Sequence, residues 1–291
     1  MTNKSDKYAI KGTNLTVNRM GYGAMRLSGP GIWGPPKDEL EAVAVLRTAV
    51  ELGVNHIDTS DYYGPHVTNQ IIQKALYPYP KDLVIVTKIG DKRTSSREWV
   101  HALSDREIVS AVHDNLRNLR LEALPIVNLR VSASAGPDMG TLRRALSVLI
   151  ELKNKGLIHN IGVSNVTPDQ YAVAAGFTSI VCVQNEYNLI NRADEQLVQD
   201  LAGAGIAYVP FFPLGGFQPL QLDALSDEAQ NLDATPMQVA IAWLLQRSPN
   251  ILVIPGTSSV RHLRENILAA QIKLPADSMA RLNKLSAAGG R

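Results

Sequence analysis

The stretch His56-Ile57-Asp58-Thr59-Ser60-Asp61-Tyr62-Tyr63-Gly64 leads from a short apolar strand into a polar turn, and Leu83-Val84-Ile85-Val86-Thr87-Lys88 supplies a second strand one helix later. Asn55 to Asp58 reads as the first of these strands and Asn69 to Leu76 as the helix between them. A strand–helix–strand unit of this kind implies parallel pairing with a right-handed crossover. Short, mostly apolar strands are what a sheet covered on both faces requires.

The same unit repeats outward in both directions. Upstream, Leu40, Val43, Leu46 and Val50 give Asp38 to Leu52 a helical period that Gly53 ends. Before it, Asn18 to Gly23 is a strand running into a Gly/Pro-rich loop that ends at Pro36, and the chain opens with a hairpin around Gly12-Thr13-Asn14. Downstream, Ser104-Asp105-Arg106-Glu107 has the form of a capping box and opens a helix to about Leu119. Ile126 to Val131 is a strand, and the next helix carries Leu142, Ala145, Leu149 and Leu152 before stopping at Gly156. Leu157 to Val163 follows. Thr167-Pro168 and Thr235-Pro236 each pair a capping threonine with proline at the first helical position. Further strands fall at Ile180–Gln184, Ile206–Phe211 and Leu252–Ile254, and the last paired helix begins near Ser259.

About eight strand–helix units follow the hairpin. They predict an α/β chain folded as a (β/α)8 TIM barrel with an N-terminal β-hairpin, a single domain over residues 1–291. An open doubly wound sheet is the competing architecture. Its glycine fingerprint fails here, because Gly21-Tyr22-Gly23 is followed by Arg26 where the third glycine belongs.

The composition, 45% hydrophobic and 19% charged, is that of a globular chain. A net charge of +2 with scattered basic residues gives no electrostatic case for nucleic acid or a membrane surface. Cys182, the only cysteine, excludes an intramolecular disulfide and reads as a packing residue within Ile180-Val181-Cys182-Val183. Residues 1–7 lack the apolar core of a signal peptide, and no apolar run approaches a membrane span, so a cytoplasmic location is expected.

In a parallel barrel the active site lies at the C-terminal ends of the strands. Polar residues gather at those ends: Asp58 and Tyr63, Lys88, Asn128 and Arg130, Ser164 and Asn165, Gln184 and Asn185, and Gly256-Thr257-Ser258-Ser259. A tyrosine is a poor acid near neutrality, with an unperturbed pKa of about 10. An adjacent ammonium favours its phenolate, and a carboxylate beside that ammonium keeps it charged and aimed. Asp58, Tyr63 and Lys88 are therefore a kit for giving a proton to a carbonyl oxygen. A buried ion pair without chemistry is the plainer reading of Asp58 and Lys88. His56 and Asp58 share a strand face, which also suits metal ligands. No further histidine stands at a strand end, so His56 is read as packing and hydrogen-bonding inside the barrel.

With these motifs in place the chain resembles an aldo-keto reductase over nearly its full length. Asp58-x-x-x-x-Tyr63-Gly64 and Thr87-Lys88 are similar to that family's catalytic signatures. Ile161-Gly162-Val163-Ser164-Asn165 and Gln184-Asn185-Glu186-Tyr187 resemble its nicotinamide-side motifs, and Ile254-Pro255-Gly256 with Glu265-Asn266 its adenosine-phosphate end. The resemblance implies NADPH bound without a Rossmann domain. It implies that Ser164, Asn165 and Gln184 hold the carboxamide, that Phe211 stacks on the nicotinamide, and that Pro213 and Leu214 line the pyrophosphate. Gly256, Thr257, Ser258 and Ser259 would cradle the adenosine phosphate, with His262, Glu265 and Asn266 nearby. Met25 is placed with the cofactor contacts. Gly256 and His262 stand where many members have a lysine and an arginine for the 2′-phosphate. NADPH is still expected, with Arg261 or Arg264 as replacement charge and a helix N-terminus to favour a phosphate, and NADH is the alternative.

One departure bears on chemistry. Pro125-Ile126-Val127-Asn128-Leu129-Arg130 puts Arg130 where the family usually has histidine. Arginine is always charged, presents a fork of donors and accepts nothing. This pattern resembles a bacterial branch associated with pyridoxal reduction. Arg130, with Asn128 on the same side of the strand, would meet the ionisable hydroxyl beside the substrate aldehyde. Asn128 and Arg130 join Asp58, Tyr63 and Lys88 as the expected catalytic set, and Trp33 joins Asn128 and Arg130 against the substrate. The loop from Ser28 to Pro36 either closes over substrate or stays fixed. The expected activity is NADPH-dependent reduction of a small-molecule aldehyde or ketone. A low-turnover NADP(H)-binding regulatory module with the same barrel is the alternative, which the missing histidine suggests.

Overall fold

A computed structural model describes residues 6–131, 138–213, 215 and 223–285. β1 (Lys7–Ala9) and β2 (Thr16–Asn18) form the expected antiparallel hairpin, with Tyr8 opposite Val17. β3 (Tyr22–Gly23), α1 (Glu39–Glu51), β4 (His56–Asp58), α2 (Val67–Leu76) and β5 (Val84–Ile89) follow. A second hairpin, β6 (Asp91–Arg93) with β7 (Trp99–His101), interrupts the alternation, and α3 (Asp105–Leu119) and β8 (Leu124–Arg130) resume it. Then come α4 (Met139–Asn154), β9 (Ile158–Ser164), α5 (Pro168–Phe177), β10 (Ile180–Gln184), α6 (Glu195–Ala204) and β11 (Ala207–Tyr208). The chain ends through α7 (Asp223–Asn231), α8 (Pro236–Arg247), α9 (Val260–Leu268) and α10 (Ala276–Lys284).

β3, β4, β5, β8, β9, β10 and β11 form one seven-stranded sheet in that spatial order, all pairs parallel. Residues 250–255 close it. On one side Tyr208 N–H donates to Asn250 O and Leu252 N–H to Tyr208 O, both at 2.9 Å. On the other, Gly21 N–H donates to Val253 O at 2.8 Å and Val253 N–H to Arg19 O at 2.9 Å. The predicted eighth strand is thus present as parallel single bridges, Tyr208–Ile251 and Met20–Val253, and the fold is a (β/α)8 barrel.

The side-chain period of two sorts each strand along its length. Val84 and Val86 point into the barrel, and Lys88 is next in the alternation; Ile126 is followed inward by Asn128 and Arg130. The apolar members, with Cys182, Val209 and Leu252, fill the lower barrel, where Ile10 and Val17 of the first hairpin plug its N-terminal mouth. The upper layer is polar and makes the site. Outward-facing residues pack under the helices in a second core that includes Leu46, Ile72, Leu116, Leu149 and Trp243.

The predicted caps hold. Thr167 Oγ1 accepts from Gln170 N–H and Thr235 Oγ1 from Gln238 N–H, both at 3.2 Å. The Glu107 carboxylate takes both the Ser104 N–H, at 3.2 Å, and its hydroxyl, at 2.6 Å. α2 starts at Val67, before the expected Asn69, because His66 adopts a left-handed conformation (φ 72°) and turns the chain early.

Candidate active site

A cavity of about 590 Å³ opens at the C-terminal ends of the barrel strands. Asp58, Tyr63, Lys88 and Arg130 line its floor, and Ser164, Asn165 and Phe211 one wall. Lys88 Nζ donates to Asp58 Oδ1 and, at 3.0 Å, to Thr59 O, while lying 5.3 Å from the centroid of the Tyr63 ring. Asp58 and Lys88 side chains are 5% and 4% exposed. Burial at that level makes each charge depend on the other. Lys88 thus sits on the face of the Tyr63 ring.

Two residues expected at the ligand are committed elsewhere. Gln184 Nε2 donates to Asp58 Oδ2 at 2.8 Å, and Asn128 Nδ2 donates to Gln184 Oε1 at 3.1 Å. Cys182 Sγ completes the chain by donating to Asn128 Oδ1 at 3.2 Å. Asn128 and Gln184 are fully buried and do not line the cavity. Asn128 does face the same side as Arg130, but one layer lower, so it braces Gln184 instead of touching substrate. Gln184 braces Asp58 instead of holding a carboxamide. Burial pushes the Cys182 thiol up to about 12, which leaves it a packing residue.

A second polar network fixes the turn that carries Tyr63. Asp61 accepts from Asn69 Nδ2 at 3.0 Å and Asn118 Nδ2 at 2.9 Å, and pairs with His66 Nδ1 at 2.5 Å. The hydrogen bond to Asp61 raises the His66 pKa. Thr59 Oγ1 donates to Asn69 Oδ1 at 2.8 Å, and Asn69 and Thr87 both donate to Asn115 Oδ1. Above the turn, Gly64 N–H donates to Ile32 O at 3.2 Å, which ties the Ser28–Pro36 loop to it.

The outer wall differs from expectation. Trp33 does not line the cavity; its ring lies under the guanidinium carbons of Arg93 and Arg97, each 5.6 Å away. Arg93 in turn lies 4.8 Å from Trp99, and it is Trp99, with Asp91, that reaches the cavity from the second hairpin. Trp99 meets the Tyr63 ring edge-on at 6.4 Å. Arg130 sits against both aromatics, its guanidinium carbon 5.9 Å from Tyr63 and 5.2 Å from Trp99. Asp91 and Trp99 were not legible from sequence. Their segment is charged and lacks apolar alternation; the turn residues Thr94-Ser95-Ser96 were the available signal.

Several residues suit a nicotinamide cofactor. Asn165 Oδ1 is buried and has no hydrogen-bond partner among the described residues, so it is free to accept from a carboxamide. Ser164 is beside it, and Phe211, Pro213, Met25 and Gly256 line the same cavity. Leu214 lies outside the described residues. A second cavity of about 320 Å³, lined by Arg26, Lys37, Glu41 and Ser258 as well as Met25, adjoins the start of α9. A lysine has no room at position 256, since a Cβ there would lie 2.6 Å from Gly23 O. Thr257 Oγ1 accepts from Ser259 N–H at 3.1 Å, and Val260 N–H, in the first turn of α9, donates to Glu41 Oε1 at 2.9 Å. His262 is exposed beside Arg261 Nη2 at 2.9 Å, and Glu265 faces Arg261 at 3.6 Å. Asn266 is buried in α9.

His56 is buried, but its Nδ1 finds no hydrogen-bond partner among the described residues, contrary to the expected bond. No cluster of His, Cys, Asp and Glu fit for a metal occurs among the described residues. Burial pulls the His56 pKa down to about 4, against the weaker upward pull of Asp58. The folded chain therefore binds fewer protons here than the unfolded chain. The resulting stability is present above the unfolded value of 6.5 and is lost as pH falls toward 4. Near pH 5 the loss is about 2 kcal/mol. Urea unfolding of wild type and His56→Leu across this range is expected to show a shallower acid loss in the variant. Parallel profiles would refute the burial argument.

The closed barrel and its site define a class of protein. The profile of the Aldo/keto reductase family matches residues 19–287, and the chain belongs to that family as an oxidoreductase enzyme. Over 273 residues it is 60% identical to the pyridoxine 4-dehydrogenase of Escherichia coli, covering 93% of this chain and 96% of that one. It is 38% identical over 279 residues to the uncharacterized oxidoreductase C215.11c of Schizosaccharomyces pombe, with 94% and 89% covered. The structure of a thermostable aldo-keto reductase, Tm1743, in complex with the inhibitor epalrestat matches with a TM-score of 0.81 at 29% identity, over 96% of this chain and 99% of that one. Among the described residues no helix is long and apolar enough to cross a membrane.

Proposed function

We propose that this protein uses NADPH to reduce the aldehyde of pyridoxal to the alcohol, with Tyr63 as general acid. The observation that carries the reading is the placement of Lys88 and Arg130 against the ring of Tyr63 in one cavity, Lys88 being held by Asp58. The reduced nicotinamide would supply hydride to the carbonyl carbon. Tyr63 gives its hydroxyl proton to the carbonyl oxygen. The Lys88 ammonium balances the phenolate that remains, and Asp58 keeps that ammonium in place. Arg130 meets the ionised ring hydroxyl next to the aldehyde. The E. coli relative is named for oxidation at carbon 4 of pyridoxine, and pyridoxal is the aldehyde at that carbon. NADPH is favoured over NADH by Ser258, Ser259 and the nearby Arg261 and Arg264. Glu41 already takes one donor of the α9 turn, so the phosphate relies on the others.

Absorbance loss of NADPH with a carbonyl panel that includes pyridoxal tests the reading directly. Arg130→His is expected to lower kcat/KM for pyridoxal about 10- to 100-fold, the worth of one charged hydrogen bond. Undiminished pyridoxal turnover, with no gain for neutral aldehydes, would remove Arg130 from substrate recognition.

A further inference from the structure

The turn after β5 brings a carboxylate to the wall of the cavity that carries Arg130. Gly90 has φ +114°, and a Cβ there would lie 2.2 Å from Arg130 O, so the chain bends sharply against β8. Asp91 emerges from that bend. Its Oδ1 faces His101 Nδ1 at 3.0 Å across the hairpin, and its Oδ2 faces Arg130 Nη1 at 3.8 Å. The second distance is too long for a hydrogen bond. Both groups keep unused capacity, and both line the cavity with side chains only 12% and 11% exposed.

We infer that Asp91 determines specificity: paired with Arg130, it selects a zwitterionic hydroxypyridine aldehyde over anionic carbonyls and over neutral aromatic aldehydes. This rests on the proposed pyridoxal chemistry. Arg130 alone would draw any carboxylate or phosphate into the cavity. A substituent of that kind resting on Arg130 also meets Asp91, and like charges in a water-poor site repel strongly. What fits a plus–minus pair is a ligand with the opposite pair. Pyridoxal at neutral pH has an ionised hydroxyl beside its aldehyde and a protonated nitrogen in the same flat ring. Arg130 takes the oxygen and Asp91 the ring N–H. A carboxylate is the usual protein partner for a pyridinium nitrogen. Trp99, 38% exposed at the rim, offers the flat wall for that ring.

Asp91 also braces the hairpin through His101, and substrate comparison separates the two roles. Steady-state kinetics of Asp91→Asn would use pyridoxal, salicylaldehyde (hydroxyl, no ring nitrogen) and 4-carboxybenzaldehyde (anionic). Expected are a fall of about tenfold in kcat/KM for pyridoxal, a rise of about tenfold for 4-carboxybenzaldehyde, and little change for salicylaldehyde. His101→Leu, which drops the brace but keeps the Asp91 charge, should leave these ratios as in wild type. An equal fall for all three aldehydes, or ratios that do not move, overturns the inference. If the wild type reduces salicylaldehyde but not pyridoxal, the proposed function fails by itself. Asp91 is then judged on the ratio of 4-carboxybenzaldehyde to salicylaldehyde, which must rise in Asp91→Asn for its charge role to stand.

Discussion

Tyr63→Phe is expected to lower kcat for pyridoxal by about a thousandfold, within the usual contribution of a positioned general acid. The substitution removes one oxygen and little else. The ring keeps its edge-on contact with Trp99 at 6.4 Å and stays beneath Lys88 Nζ at 5.3 Å. The turn that carries it is fixed by Asp61, Asn69 and Asn115, none of which bonds the phenol. Cofactor affinity, read by quenching of NADPH fluorescence, should therefore match wild type while turnover collapses. That separation is the diagnostic: an acid acts in the chemical step, whereas a structural tyrosine would alter binding or folding as well. Near-wild-type kcat in the variant would hand the proton to another group and leave Lys88 without its assigned task.

The parts of this site legible in the sequence are those set by strand periodicity. Asp58, Lys88 and Arg130 end consecutive barrel strands facing inward, and a period of two with polar residues at the C-terminal end suffices to place them together. Periodicity says which way a side chain points but not what it reaches. Asn128 and Gln184 point inward as expected, yet both are fully buried and bond each other, and Gln184 bonds Asp58. The second hairpin was hidden for a different reason. Residues 91–101 are charged and half-exposed, so no hydrophobic pattern marks them. Trp33 and Trp99 were separable only by the Arg93 guanidinium that comes between them, a contact across 60 residues or so of chain. Leu252–Ile254 read correctly as the closing strand because it is apolar, although it pairs through single bridges.

Asp58→Ala is expected to destabilise the fold by about 3–5 kcal/mol, the cost of leaving a buried charge without its partner. Among the described residues Lys88 would keep the Thr59 carbonyl, at 3.0 Å, as its one hydrogen-bond acceptor, in a position 4% exposed. Gln184 Nε2 would lose its acceptor at the same time, and Asn128 and Cys182 lean on Gln184. In a chain of this size the melting temperature should drop by about 6–10 °C. Adding Lys88→Met to Asp58→Ala removes the orphaned ammonium, so the double variant should melt above the single one, by about 2 kcal/mol of recovered stability. The ordering matters more than the size. If the two carboxylate variants melt together, solvent in the cavity is already satisfying Lys88, and Asp58 is not what holds the ammonium against Tyr63. If the double variant recovers stability yet neither reduces an aldehyde, the loss of activity follows from removing the charges and not from a loosened fold.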